Sequence, residues 1–188
     1  MENSENKAID NCKKGNLKDF AILYDLYVKK IYRFIYYKTH HKETTEDLVS
    51  DTFTKALDKI DSFNKEKASF SCWLYTIARN SVIDFYRTKK TSFNIEDVWD
   101  LKSDSDTERD LGFSEEMVEV KKYLGKLSAK HREIVILRVW EGMSYKEIAS
   151  IMDKTESSAK MMFSRVITDL RKELGPLAVM LLFVARFV

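Results

Sequence analysis

A chain of 188 residues that is 44% apolar can build packed cores, which excludes a disordered chain and fits one domain or two small ones. Five glycines and one proline are too few for a turn-rich all-β fold and favour long helices. The net charge of +2 hides a pattern: residues 1–90 carry 17 basic and 13 acidic side chains, residues 91–120 carry 2 and 10, and residues 121–175 carry 12 and 7, so two basic modules flank an acidic linker.

The N-terminal stretch MENSENKAIDNCKKG has no apolar core and does not read as a signal peptide. Cys12 and Cys72 form no CxxC pair, which makes a reducing cytoplasm the default compartment. His40 and His41 are adjacent and His131 is distant, so no zinc-ligand spacing exists and no metal or other cofactor is expected. Without a nucleophile–base pair, an enzyme is the least favoured class, and no small-molecule substrate is expected.

Residues 16–38 repeat apolar side chains at Phe20, Leu23, Tyr24, Tyr27, Ile31, Phe34 and Ile35, in steps that mark an amphipathic helix. His40 and His41 follow in a short polar loop. A second helix spans 45–60, with Thr45, Glu46 and Asp47 as acceptors and negative charge at its start. Val49, Phe53, Ala56, Leu57 and Ile60 form its buried stripe. Its other face shows Asp47, Ser50, Asp51, Thr54, Lys55 and Asp58.

After a loop at 61–69, the stretch FSCWLYTIARNSVIDFYRTKK (70–90) reads as one helix. Leu74, Ile77, Ser81 and Phe85 recur at helical spacing, and Ser69 or Ser71 is placed to cap the start. Its second half is basic, with Arg79, Arg87, Lys89 and Lys90 against Asp84 alone. Trp73, Tyr75, Phe85 and Tyr86 are interleaved with these cations. Cations hold phosphates and ring faces accept unstacked bases, so the mixture suits single-stranded nucleic acid. An ordinary amphipathic helix with core aromatics and solvated cations fits the composition equally well.

Residues 91–114 are acidic and aperiodic and are expected to be a flexible linker, with Trp99 and Leu101 as its odd apolar members. The second module begins with a helix through Met117, Val118, Val120, Tyr123, Leu124 and Leu127. Ser128 is placed to cap a helix that Gly142 ends. Ser144 and Glu147 then form a capping box for SYKEIASIM. Asp153 and Lys154 make a turn, and Thr155 caps a last helix packed through Ala159, Met162, Phe163, Val166, Ile167 and Leu170. Two short helices joined by a tight turn form a helix-turn-helix, whose second helix leaves Ser157, Lys160, Met161, Ser164, Arg165 and Thr168 free to face DNA. Gly175 and Pro176 stop that helix. The tail LAVMLLFVARFV is too short to span a bilayer, which needs about 20 residues; it reads as packed on the last module, with a peripheral membrane or partner contact as the lesser alternative.

The order W-L-x-x-I-A-R-N-x-x-x-D-x-x-R, carried by Trp73, Leu74, Ile77, Ala78, Arg79, Asn80, Asp84 and Arg87, resembles the promoter-melting helix of bacterial sigma factors. The short extracytoplasmic-function (ECF) class is most similar. The 45–60 helix resembles that family's A-E-D-L-V-Q-D-x-F helix, with Ser50 in place of the usual Gln. The stretch from Leu127 to Ala149, L-S-x-x-x-R-E-I-x-x-L-R-x-x-E-G-M-S-Y-x-E-I-A, resembles the domain that reads the minus-thirty-five element. Downstream the chain departs from the family: Asp153 replaces a Gly, Ala159 a Val, and Met161-Met162 a Ser-Arg pair.

The resemblance implies an all-α fold of two small helical domains, 16–90 and 115–174, joined by the acidic linker 91–114 and followed by the apolar tail 175–188. It implies a sigma factor that binds core RNA polymerase and promoter DNA and is restrained by an anti-sigma factor. Asp47, Ser50, Asp51 and Thr54 would dock on the polymerase clamp. Asn64, Lys65, Lys67, Trp73, Arg79, Asn80, Arg87 and Lys89 would hold the minus-ten element. Ser157, Lys160, Met161, Ser164 and Arg165 would read the minus-thirty-five element. Two alternatives stay open on the residues alone: a helix-turn-helix regulator that acts without polymerase, and a sigma-like antagonist that occupies polymerase without initiating.

Overall fold

The structure, a computed structural model, describes residues 2–89 and 115–184. The expected linker, with Trp99 and Leu101, lies outside the described residues, as do Lys90 and residues 185–188. All regular structure among the described residues is helical. The chain divides into two units, Met1–Thr91 and Ser92–Val188.

The first unit opens with a helix not anticipated from the sequence, α1 (Glu2–Lys13). Its apolar signal is only Ala8, Ile9 and Cys12, all buried. α2 (Phe20–Thr39) buries Phe20, Leu23, Tyr27, Ile31, Phe34 and Ile35, as its spacing requires. Tyr24, expected on that face, is instead 41% exposed and leans on Phe53 at 4.7 Å. The helix ends where His40 turns left-handed at φ 50° and its N–H donates to the Tyr36 carbonyl at 2.8 Å.

α3 (Lys42–Asp58) begins three residues before the expected start. Its cap is His41, whose Nδ1 accepts from the Thr44 N–H at 3.2 Å. Thr45 is therefore not a cap. It is buried in the first turn, where its hydroxyl donates to the His41 carbonyl at 2.8 Å. Leu48, Val49, Thr52, Phe53 and Ala56 form the inner face, followed by Ile60 in a 3-10 turn (Ile60–Ser62), while Leu57 is only half-buried.

α4 (Phe70–Lys89) is capped by Ser69, whose Oγ accepts from the Cys72 N–H at 3.2 Å. Its buried stripe runs through Leu74, Tyr75, Ala78, Ser81 and Val82, turned slightly from the expected one, so that Ile77 and Phe85 are half-buried. Small Ala78 and Ser81 permit close approach, and the Tyr75 ring stands edge-on to Phe34 at 5.0 Å.

In the second unit, α5 (Glu115–Lys126) precedes α6 (Ala129–Val135). Ser128 makes no side-chain cap here. The junction is tied instead by Arg132, which donates to the carbonyls of Leu124 at 3.0 Å, Gly125 at 2.8 Å and Leu127 at 3.1 Å. The expected single helix widens into a π turn over Ile136–Trp140, then ends at Gly142 with φ 70°. α7 (Tyr145–Met152) starts with the full Ser144–Glu147 capping box and closes on left-handed Asp153. α8 (Glu156–Leu174) is capped by Thr155 and held by Ala159, Phe163, Val166 and Leu170, with Met162 and Ile167 half-buried. Gly175 at φ 84° ends it, and Pro176 opens a further helix, α9 (Pro176–Val184). Ala178 and Leu182 of α9 are buried, whereas Leu177 and Met180 are about two-thirds exposed at 66% and 65%.

Candidate functional site

Three helix faces carry the residues singled out from the sequence. The first is the outer face of α3. Asp47, Ser50 and Thr54 are exposed there, and Asp51 is half-buried. The Thr54 hydroxyl donates to the Ser50 carbonyl at 2.9 Å, which ties it to its own helix. Lys55 donates to Asp51 at 2.7 Å and reaches Ser81 of α4 at 3.1 Å. Ser50 and Thr54 also form one wall of an open groove of about 450 Å³ between α2 and α3. Tyr24 and Tyr32 line the opposite wall. The helical spacing places Tyr24 in the apolar stripe, yet it is exposed on this groove while Tyr27 is buried.

The second face belongs to α4 and the loop before it. Trp73, Asn80 and Arg87 are spaced by seven, so they fall almost in line along the helix, drifting by about 20° per heptad. Asn80 and Arg87 are exposed, and Arg87 pairs with Asp84 at 3.2 Å. Trp73 is half-buried, with Phe63 at 5.3 Å and Phe70 at 5.5 Å against its ring. Arg79 is half-buried and lies about a quarter turn from that line. Lys89 ends the helix, and its side chain is outside what the structure describes. Asn64, Lys65 and Lys67 lie on the exposed loop. The Asn64 side chain accepts from the Glu66 N–H at 2.8 Å, folding the loop into a tight turn.

Two of the four interleaved aromatics are committed elsewhere. Tyr75 is fully buried and cannot meet a base. The Tyr86 hydroxyl donates to the Lys38 carbonyl at 3.2 Å, and burial pushes the phenol above its ordinary pKa. Phe85 is half-buried beside Tyr86, with ring centroids 5.2 Å apart. The helical period alone makes Trp73 the aromatic nearest the polar face.

The third face is that of α8. Ser157, Lys160, Met161, Ser164 and Arg165 are all exposed, opposite the packed stripe. Lys160 pairs with Glu156 at 2.9 Å and lies 5.9 Å from the ring centre of Tyr145. The Arg165 guanidinium meets the Met161 sulfur at 3.5 Å. A helix so presented, one turn after a capped partner helix, has the geometry that enters a major groove.

Comparison with known proteins gives the same division. Residues 23–91 match Sigma-70 region 2, and residues 117–170 match Sigma-70, region 4. ECF RNA polymerase sigma factor SigW of Bacillus subtilis (strain 168) is 30% identical over 188 residues, covering 94% of this chain and 100% of that protein. ECF RNA polymerase sigma factor BldN of Streptomyces coelicolor is 31% identical over 87% of this chain, which spans 63% of BldN's length. The sigma factor RpoE, solved with the anti-sigma factor NepR from Bartonella quintana, is 28% identical, with a TM-score of 0.66 over 82% of this chain and 96% of RpoE. Two sigma regions in this order, and identity carried along the whole of one relative, make the chain a member of the ECF class of RNA polymerase sigma factors, which initiate transcription with RNA polymerase.

Proposed function

We propose that the two units engage the two promoter elements separately. α8 enters the major groove at the minus-thirty-five element, with Arg165 and Met161 toward base edges and Lys160 toward a phosphate. α3 docks on the polymerase clamp through Asp47, Ser50, Asp51 and Thr54. The α4 face then holds the opened strand at the minus-ten element through Asn80, Arg87 and Lys89, with Trp73 and Arg79 at its borders and Asn64, Lys65 and Lys67 contacting a base taken out of the stack. Each unit alone binds weakly, and engagement of both raises avidity without new contacts. The observation that carries this reading is that each unit presents one exposed polar and cationic helix face whose opposite side is locked in a core.

A restraining anti-sigma partner belongs to the same proposal, supported by the solution of the similar RpoE in complex with NepR. So does a cytoplasmic location, supported by the two buried free cysteines. No helix among the described residues is long and apolar enough to cross a membrane. Run-off transcription with purified core polymerase on a promoter library tests the whole: specific transcripts with defined minus-thirty-five and minus-ten preferences are expected. Polymerase binding without initiation would overturn it.

A further inference from the structure

We infer that Lys13 of α1 is a positioning residue for the minus-ten loop, fixing the orientation of Asn64, Lys65 and Lys67; this rests on the reading of that loop given above. Lys13 lies outside the matched sigma region, which begins at residue 23. Yet its ammonium donates to the carbonyl of Phe63, 50 positions away, and lies 5.7 Å from the centre of the same residue's ring. Phe63 is where the chain leaves the 3-10 turn and enters the exposed loop. One cation thus restrains both the backbone and the ring of the loop's first residue.

The restraint has a firm base on both sides. α1 is anchored by buried Ala8, Ile9 and Cys12, and Asn11 donates to Asp19 at 2.6 Å. The Phe63 ring is buried against Phe70 at 5.4 Å and Trp73 at 5.3 Å. Those rings secure the fold without Lys13. Ring packing alone leaves the tilt of the Phe63–Asn64 peptide, from which the exposed turn departs, to its hydrogen bonds. A hydrogen bond from a charged donor to that carbonyl fixes it, and such bonds are the stronger kind. From Asn64 onward the turn closes on itself, since the Asn64 carbonyl accepts from the N–H groups of Lys67 at 3.1 Å and Ala68 at 3.3 Å. Its far end is fixed by the Ser69 cap and buried Phe70, so the direction of its near end is set by the peptide Lys13 holds.

The test uses the full chain assembled with core polymerase, in Lys13→Met and Lys13→Arg forms. Methionine keeps the apolar stem over Phe63 and removes the donor, whereas arginine keeps the donor. Affinity is measured for single-stranded minus-ten oligonucleotides substituted base by base, alongside polymerase affinity and melting temperature. Lys13→Met is expected to lose about three- to tenfold in discrimination among those bases, the span of one hydrogen bond, with polymerase affinity and melting temperature retained. Lys13→Arg is expected to restore discrimination. Unchanged discrimination in Lys13→Met overturns the inference, and so does a loss that only follows a lowered melting temperature. Asn64→Ala and Lys65→Ala proteins separate the two levels. If they too leave discrimination unchanged, the loop reading fails and the inference with it; if they lower it while Lys13→Met does not, the inference alone falls.

Discussion

The Lys55 ammonium sits 2.7 Å from the Asp51 carboxylate one turn back on α3, so of the two acids expected on the clamp face, Asp51 already has a partner within the helix. Both side chains are about 40% exposed, and a pair so placed contributes about 0.5 kcal/mol. Asp47→Lys is therefore expected to weaken core polymerase binding with no change in melting temperature. Asp51→Lys should weaken binding and also lower the melting temperature slightly, because it sets like charges side by side. Polymerase titration and thermal melting of each variant check this, and full affinity in the Asp47→Lys, Asp51→Lys double variant would remove the clamp assignment.

On α4, Asn80 and Arg87 share one exposed line. Asn80→Ala with Arg87→Ala is expected to reduce open-complex formation more than duplex binding, since these groups gain from unpaired strands. Trp73 is a poorer probe, because Phe63 and Phe70 cover part of its ring. Replacing it with alanine would cost packing as well as any stacking, which is worth about 1–3 kcal/mol per base. Permanganate footprints at the minus-ten element report opening directly, and normal footprints in the double variant would contradict the assignment.

Arg165→Ala is expected to change preference at one or two base pairs of the minus-thirty-five element by about 1–3 kcal/mol. Lys160→Ala should weaken all sequences alike and lower the salt slope by about one. Neither cation is free of protein contacts, since Met161 and Glu156 engage them, so the measured effects should fall at the lower end. Binding over a salt series, on promoters varied only at that element, separates the two roles. A uniform loss on Arg165→Ala would exclude base reading by it.

The apolar tail divides by residue. Leu182 is fully buried, and Leu182→Ala is expected to cost about 2–5 kcal/mol. Met180→Ala, on the exposed side, should be nearly neutral. Denaturant unfolding of both variants checks this. A fully stable Leu182→Ala protein would show that α9 adds nothing to the second unit.

At the helix-turn-helix bend, Asp153 adopts φ 54° where the family usually has Gly. Aspartate tolerates the left-handed region better than most residues, and a β-branched side chain does not. Asp153→Val is expected to destabilise by about 1–2 kcal/mol and Asp153→Gly to be tolerated. Melting temperatures of the pair decide between these outcomes.

Much of this was legible in the sequence because local chemistry agreed with the fold. The capping box at Ser144, the Thr155 cap and the left-handed Gly142 each depend on residues within a few positions. What escaped depends in part on partners far away in sequence and in part on uncommon local bonds. α1 shows too short an apolar signal until Lys13 and Asn11 find their contacts. His41 reads as loop because a ring nitrogen is an uncommon cap, and Ser128 reads as a cap because the bonds Arg132 makes to carbonyls five to eight residues back leave no periodic signal. The burial of Tyr75 follows from the position of Phe34, which no periodicity within 70–90 contains. The residues proposed for DNA and polymerase surfaces rest on order and motif, and the structure adds which of them share a line and which are already engaged.

The way α4 is wedged into its unit has a mechanical consequence. Leu74, Tyr75, Ala78 and Val82 are all without exposure, so rolling or sliding the helix would disturb a close-packed face. If the polar line of α4 is the minus-ten surface proposed above, it is a template set before DNA is met. On the proposed reading of α4, the distortion that separates the strands falls to the nucleic acid, whose flexible steps deform at lower cost than others. Promoter strength would then depend in part on the stiffness of base pairs that this protein never touches.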